Sequence, residues 1–594
     1  MLRQVYVPPW RKKPMKKTKP HEPKRDIVVW GFDTETWDGP PISLQFHSDD
    51  QPQSTRIYQV KERTATKTFF RHLDKFCDPG KLYRVYGHYL EFDLLSAMWD
   101  VKHELIGNHG VFEFTYGDWT IEGCYGRPTF ARLAHSDGCI VEIVDSALWF
   151  RGSLDSAASL HCPDLPKLQR PARLGEQWFS VGDSEFASYA MRDAEIAARL
   201  GALVERFHQQ LELRPSMSLA SQAAQVFRQR YIEDPIQQCP TEFIEPAIAA
   251  YHGGKNNLVR NAAPRWHEDA AMYDISSAYP WAMTELPSFT RADHYSTASL
   301  PASSKSVPVP GVYKVSGIIA DCDWPIFFSH DFKPLKNCKV EDLWIHGYEL
   351  NEALRMGEFK PTARITGCYY RAEKLGESAT ARYSRDFYKN KSEATNDIDR
   401  HMYKILLNCI SGKFIQTREQ DVLLASGEVS REHVAGGLFH PFIAGAITAH
   451  TRAAIHRIEH AYKAHHTATD GIIAPARKRR PAPSTLGMPD VGLGSLNTEM
   501  TGNVVLLRTK LYIGYSQHPK GLESKVFKDW RIHKYALHGF QARVGELEEM
   551  ILSGRRWYHA PHRIGLRESV KHGTVPNRFI QRELKLQVGA IKGG

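Results

Sequence analysis

The acids that could do chemistry come in spaced sets. Asp33 and Glu35 stand two apart in Asp33-Thr34-Glu35, directly after the apolar run 27–32. On a strand, side chains two apart point to the same side. Two carboxylates facing one way are costly unless a cation sits between them. Asp93 follows an aromatic run, and Tyr189 and Asp193 lie four apart in a helical pattern, on one face. Asp33, Glu35, Asp93 and Asp193 together would suit two divalent ions, which can activate a water and stabilise a leaving 3′ oxygen. Tyr189 would orient that water at the scissile phosphate. Singly, each acid is equally an ordinary surface residue; the ordered set is what suggests a site.

A second set is spread more widely. Asp274 follows a short apolar segment, with Tyr279 five residues on, before Pro280. Asp470 interrupts the stretch 467–474 and precedes Gly471. These two aspartates are candidate metal ligands; Tyr279 could stack under a sugar or simply fill a turn. Lys404, Asn408 and Ser411 or Gly412 share a helical side. A lysine there can neutralise a triphosphate as a point charge, and Asn408 can orient the same ligand. A glycine at 412 allows close approach to the backbone. Arg382 and Lys389 or Lys391 could add phosphate contacts, or could be a solvated helix face. Lys510 and Tyr512 are two apart in the alternating run 506–515, expected as one strand, and would hold a primer end.

The elements that must position these groups follow from periodicity. Residues 27–33 predict a strand ending in a carboxylate, and 186–207 an amphipathic helix. Between them, apolar runs alternate with helical stretches, which suits a compact α/β domain. A second α/β region follows, with strand-like runs in 286–378, a basic helical pair over 380–413, a helix over 443–463, and a strand pair bracketing the loop 474–484. The tail from 529 is basic and mostly non-periodic. Residues 1–20 hold seven Lys or Arg, four prolines and no acid, which predicts a flexible arm. At 594 residues the chain is too long for one core. The net charge of +10 permits a polyanionic partner. Nine cysteines without a CxxC pair exclude the usual zinc-finger spacing and fit a reducing compartment. No run of eighteen apolar residues predicts a membrane span.

In this order and spacing, the motifs resemble those of family B DNA polymerases, above all the small protein-primed kind of phages and linear plasmids. Asp33-Thr34-Glu35, Phe92-Asp93 and Tyr189 with Asp193 match the three exonuclease motifs. Tyr251-His252-Gly253-Gly254 is similar to the YxGG linker between the nuclease and polymerase halves. The stretches 274–280, 404–414, 467–471 and 510–512 match the first aspartate, fingers, second aspartate and KxY motifs. The resemblance implies an α/β multidomain fold: a ribonuclease H-like 3′→5′ exonuclease joined to a right-hand polymerase of palm, fingers and thumb. It divides the chain into a basic flexible arm (1–25), exonuclease (26–205), linker and first palm segment (206–285), an insertion resembling the priming-protein-binding region (286–378), fingers (379–415), a short second insertion (416–436), second palm segment (437–528) and thumb (529–594). It implies template-directed DNA synthesis with proofreading. Two Mg²⁺ per site are expected, with Mn²⁺ as a substitute, held by Asp33, Glu35, Asp93 and Asp193 in one site and Asp274 and Asp470 in the other. Tyr279, Lys404, Asn408 and Arg382 would bind the nucleotide. Tyr251, Gly253, Gly254, Gly412, Lys510 and Tyr512 would meet DNA. Template-primer DNA and deoxynucleoside triphosphates are the implied partners, a terminal priming protein a further candidate, and the chain is expected as a monomer in the cytoplasm of a bacterial host. Four positions depart from the pattern: Ala468 and Gly471 beside Asp470, Ser411 where the fingers motif has tyrosine, and Tyr89 where the second exonuclease motif has asparagine. Ala468, Gly471 and Ser411 motivate an alternative, an active exonuclease with a weakened or inactive polymerase site.

Overall fold

The computed structural model describes residues 5–6, 15–16, 25–36, 40–106, 111–126, 129–169, 182–213, 215–290, 294–371, 378–423, 429–476, 480–517, 521–525, 529–555, 557–563 and 577–583. Its first unit is built on an eight-stranded sheet. The central strand Ile27–Thr36 runs parallel to Leu82–Gly87, which runs parallel to Ile140–Asp145. On its other side Pro41–His47 pairs with it antiparallel, Asp33 opposite Gln45. Alternation along the central strand divides its side chains between two cores. Val28, Trp30 and Phe32 join an aromatic core with Phe46 and Phe69, while Val29 packs with Tyr86, Leu200 and Phe207.

The helix Ser184–Gln210 crosses this second face. Asp183 caps it, its Oδ1 accepting from the amides of Glu185 (2.9 Å) and Phe186 (3.1 Å). Such a cap contributes about 1 kcal/mol and sets the start two residues before the periodic pattern begins. The helix backbone lies directly on Gly31, where any Cβ would run into the carbonyl of Ala194. That close approach brings Asp193 down beside Asp33.

The second unit carries an eight-stranded sheet, in the order Lys255–Leu258, His466–Thr469, Gly471–Pro475, Arg265–Ile275, Leu496–Arg508, Leu511–Ser516, Arg531–Leu537 and Leu522–Glu523. Every neighbouring pair is antiparallel. The helix Pro441–Tyr462, buried along most of its length, lies against this unit. A five-stranded sheet occupies the 286–378 stretch, and the antiparallel helices Ala379–Glu393 and Asp397–Cys409 follow it. One continuous core links the units, running from Tyr86, Leu200 and Phe207 to Met283, Tyr383, Leu406 and Phe442.

Four expectations change. The run 506–515 is not one strand: Thr509 and Lys510 form a hairpin turn, Lys510 at φ 55°, and Arg508 pairs with Leu511. The strands flanking the loop 474–484 are not partners, because Arg265–Ile275 lies between them. Parts of the arm are docked. Val5–Tyr6 pairs in parallel with His433 and Val434, and Met15 is buried and bridges Ile236. Apolar burial of Met15 offsets the ordering cost that its basic surroundings would otherwise leave unmet. Beyond 529 the described residues form four regular elements: Arg531–Leu537 extends the large sheet, Val544–Ser553 is helical, and Trp557–Arg563 pairs with Asn577–Glu583. No described helix is long and apolar enough to cross a membrane.

Candidate active sites

In the first unit, Asp33 and Glu35 leave the central strand on one side, and the other expected acids converge on them. Asp93, on the helix Leu90–Ala97, accepts from the Thr34 amide (3.1 Å) and the Thr34 hydroxyl (2.8 Å). The middle residue of Asp33-Thr34-Glu35 is therefore a clamp on Asp93 rather than a spacer. Burial, then the charges of Asp93, Asp193 and Glu35, push the Asp33 carboxyl well above the ordinary range. Burial raises Asp93 as well, aided by Asp145 and Glu35 against the pull of the Thr34 bonds. Burial raises Asp193, while Lys167 pulls it down. Asp193 is ion-paired with Lys167 through Oδ2. Its buried Oδ1 has no hydrogen-bond partner among the described residues. Tyr189 lies half-buried one turn before it on the same helix. Buried acids in mutual repulsion, one with an orphaned oxygen, are a donor set that suits hard divalent cations.

Sequence reasoning missed two members of this group. Lys167 sits in an irregular stretch without periodicity, so no pattern pointed to it. Asp145 ends the apolar strand Ile140–Asp145 just as Asp33 lies toward the end of its own strand, and the same signal could have found it. Its Oδ1 accepts from the amides of Ala147 (2.9 Å) and Tyr89 (3.0 Å). Tyr89 is left-handed, φ 61°, with an exposed ring. Asparagine tolerates that backbone far better than tyrosine, so the Asp145 bond holds a conformation this residue does not favour.

In the second unit, Asp274 ends the strand Arg265–Ile275 in register with Gly471, and Asp470 occupies the tight turn before that glycine. The Asp274 carboxyl is pushed up to about 7, first by burial and then by the charge of Asp470. Burial raises Asp470 too, with Lys534 and Lys510 opposing. A Cβ at position 471 would lie 2.9 Å from Asp274 Oδ1, so the departure to glycine there leaves space for the carboxylate. Ala468 stands opposite Asn256 on the neighbouring strand. The Lys510 amide donates to His466 Nε2 (3.0 Å), and its ammonium lies 3.5 Å from Thr469 Oγ1. Tyr512 is buried, and its phenol feels Asp274. Tyr279, on the first turn of Ala278–Thr284, is pushed up to about 12 by burial, with Tyr251 and Asp470 adding. Lys534, on Arg531–Leu537, was missed because its segment read as non-periodic. Burial lowers its ammonium, while Asp274 and Asp470 hold it up.

Lys404, Asn408 and Gly412 lie exposed along one side of the helix Asp397–Cys409 and the turn after it. Among the described residues nothing lies within 4 Å of where a Gly412 Cβ would be. The Lys404 charge reaches Asp274, joining the helix pair to the acids. Ser411 Oγ donates weakly to the Asn408 carbonyl (3.4 Å). Of the two alternatives in the preceding helix, Lys391 is the one beside Lys404: burial and the Lys404 charge lower its ammonium. Arg382 is committed elsewhere. Its guanidinium donates to Glu233 Oε2 (2.6 Å) and the Tyr231 carbonyl (2.9 Å), so its expected place at the triphosphate is not supported. It stands on the first turn of Ala379–Glu393, three turns from the end that faces Lys404.

Tyr251, Gly253 and Gly254 border the second group. A Cβ at Gly254 would lie 2.5 Å from the Thr469 methyl, so this segment packs against the Asp470 turn. It is held by Arg452, another residue the sequence did not disclose. Arg452 donates to the carbonyls of His252 and Gly253 and makes a bidentate pair with Glu349 (2.7 and 2.8 Å). A further set of ligand atoms, on Glu358, His456 and His460, lies within 4.8 Å of one another and could hold a metal ion.

Residues 183–432 match the family model described as DNA polymerase type B, organellar and viral. No curated protein matches the chain. Among solved structures, the chain is similar to Phi29 DNA polymerase complexed with primer-template DNA in a post-translocation binary complex. The TM-score is 0.68 at 14% identity, covering 94% of this chain and 100% of that one. It is likewise similar to the ternary complex of Phi29 DNA polymerase with primer-template DNA and incoming nucleotide, with TM-score 0.65 at 16% identity over 95% and 99% of the two chains. For the same polymerase with single-stranded DNA the TM-score is 0.62 at 16% identity, covering 82% and 87%.

Proposed function

We propose that this chain, whose α/β multidomain fold is that of a Phi29-type family B DNA polymerase, is a template-directed DNA polymerase with its own 3′→5′ exonuclease. In this reading residues 26–205 are a ribonuclease H-like nuclease, 206–285 and 437–528 the palm, 379–415 the fingers and 529–594 the thumb. The insertion 286–378 is the candidate seat for a terminal protein, and the chain acts as a monomer in a bacterial cytoplasm. The observation that carries the reading is the pairing of Asp274 with Asp470. Two acids far apart in sequence stand half-buried together, Asp470 disfavouring the charge of Asp274, which lies within reach of Lys404.

Mg²⁺ bound at such carboxylates would lower the pKa of a primer 3′-hydroxyl and neutralise the leaving pyrophosphate. Asp274 and Asp470 supply the ionised oxygens. Lys404 and Lys391 place positive charge where a triphosphate would lie, and Asn408 orients it. Lys510 and Tyr512 face the same acids and hold the primer end. Gly412 leaves room for the nascent base pair. In the first unit Asp33, Glu35, Asp93 and Asp193 are the donors for hydrolysis, Lys167 balances their charge, and Tyr189 orients the attacking water.

The test is labelled primer extension with Mg²⁺ beside degradation of single-stranded DNA. Asp274→Ala is expected to abolish extension and leave degradation; Asp33→Ala should do the reverse. Normal extension by Asp274→Ala would sink the assignment. Ala468 and Ser411 favour one second reading, a nuclease with a weakened synthetic site; it predicts that the unaltered chain only shortens the primer.

A further inference from the structure

Apart from the two carboxylate groups, three side chains converge between the 286–378 insertion and the helix Pro441–Tyr462. His456 and His460 lie one turn apart on that helix. Glu358 faces them from the turn before Phe359–Pro361, held by its own backbone: its amide donates to Ala353 (2.9 Å) and its carbonyl accepts from Ala320 (2.8 Å). His456 Nε2 is 3.0 Å from Glu358 Oε2, and His460 Nε2 is 2.9 Å from Glu358 Oε1. Glu358 and His456 are buried, and His460 retains 19% exposure.

The contacts are short, yet they are not hydrogen bonds. Among the described residues none of these four atoms has a partner in a direction a hydrogen bond requires. Four buried donor and acceptor atoms that crowd together without bonding one another are costly unless something else engages them. The far nitrogen of His456 is fixed. Its Nδ1 lies 3.8 Å from Glu459 Oε2 and 3.4 Å from Lys255 Nζ. Glu459 is in turn ion-paired with the fully buried Lys255 and accepts from Thr467. Trp324 packs on the His460 ring, centroids 4.8 Å apart, and anchors itself by donating to the Ala464 carbonyl (2.9 Å).

We propose that Glu358, His456 and His460 bind one zinc ion, with solvent in the fourth position, and that this ion clamps the insertion to the helix Pro441–Tyr462. Two imidazoles and one carboxylate suit zinc, whereas Mg²⁺ prefers an all-oxygen shell. Ligands about 2.0–2.1 Å from a tetrahedral ion stand roughly 3.3 Å apart; the two imidazole–carboxylate contacts need to open by only a few tenths of an ångström, and all the ligand atoms already lie within 4.8 Å of one another. The spacing four apart on one helix puts both imidazoles on a single face, and the partly exposed His460 provides the way in.

The test uses the full-length chain without a histidine tag, stripped with chelator and titrated with Zn²⁺ against a chromophoric competitor in excess Mg²⁺. One zinc per chain is expected, by titration and by elemental analysis. The same stoichiometry is expected in the Asp33→Ala/Asp274→Ala double variant, which isolates this group from the catalytic acids. His460→Asn and Glu358→Gln should each weaken binding by about 100-fold or more, the upper end of what disturbing an imidazole's support costs. Circular dichroism of His460→Asn, the least buried position, confirms that the variant is folded. No zinc on the folded chain, zinc unaffected by both ligand variants, or zinc lost with the catalytic aspartates would each overturn the proposal.

Discussion

The 2.9 Å between Asp274 Oδ1 and the place of a Cβ on residue 471 gives a departure from the family pattern a physical meaning. Placing a serine at position 471 is expected to harm this chain. Overpacking a tight contact costs about 1–3 kcal/mol, which at a reacting centre is roughly 10- to 100-fold in rate. Gly471→Ser should therefore slow primer extension by that factor while nuclease activity on single-stranded DNA stays unchanged; equal extension by both forms would refute the steric account. The acids themselves were legible, because a carboxylate closing an apolar strand is an unfavourable choice without a purpose. The same pattern at Asp145 marks a carboxylate that accepts from Tyr89 and Ala147 amides, and sequence alone does not separate the two uses. Lys167 left no trace, since a single cation in an irregular stretch has no period to break. Arg382 looked like a phosphate ligand because helical spacing fixes a face but not the neighbour across it.

The helix Pro441–Tyr462 was readable from its periodicity, but its attachments were not. His440 starts it: Nδ1 accepts from the Ile443 amide (3.2 Å) while Nε2 donates to the Gln237 carbonyl (2.9 Å). The bond accepted at Nδ1 requires the neutral ring, and burial holds its pKa down at about 4. An unfolded histidine takes up its proton near 6.5, so the unfolded chain protonates first. The stability this group contributes is intact above that pH and is lost as pH falls from about 6.5 towards 4. The raised carboxylates Asp33, Asp93 and Asp274 act in the opposite sense, so the informative comparison is with His440→Asn, which keeps a capping acceptor. In metal-free buffer the unfolding midpoint of the variant should fall less between pH 7 and 5 than that of the parent; parallel curves would refute it. Further along the helix, Arg452 joins Glu349 to the 251–254 segment. Removing one partner of a buried pair costs about 3–5 kcal/mol. Arg452→Met should lower the unfolding midpoint accordingly, and adding Glu349→Leu should restore part of it; a double variant no better than the single one would show that the pair is not the cause. The hairpin at Thr509–Lys510 was hidden for a related reason: alternation continues through a two-residue turn when the turn residues happen to fit the alternating pattern.

At the scale of the molecule, the two sets of acids named from the sequence lie one in each unit. What the sequence did not convey is how the units meet, because the shared core from Tyr86 to Phe442 is made of side chains whose periods report only their own element. The arm is the sharpest case. Its charge and prolines describe a solvated tail, yet Met15 is buried and Val5–Tyr6 lies beside His433 and Val434. That pairing has a consequence for how the chain is made. A ribosome releases the N-terminus first and the partner strand more than four hundred residues later, about twenty seconds or more at typical rates of synthesis. The first unit can complete its sheet in that interval, but Val5–Tyr6 has no seat until most of the second unit has emerged. A product terminated before residue 429 would carry that strand unpaired, and an unpaired edge invites association with other chains.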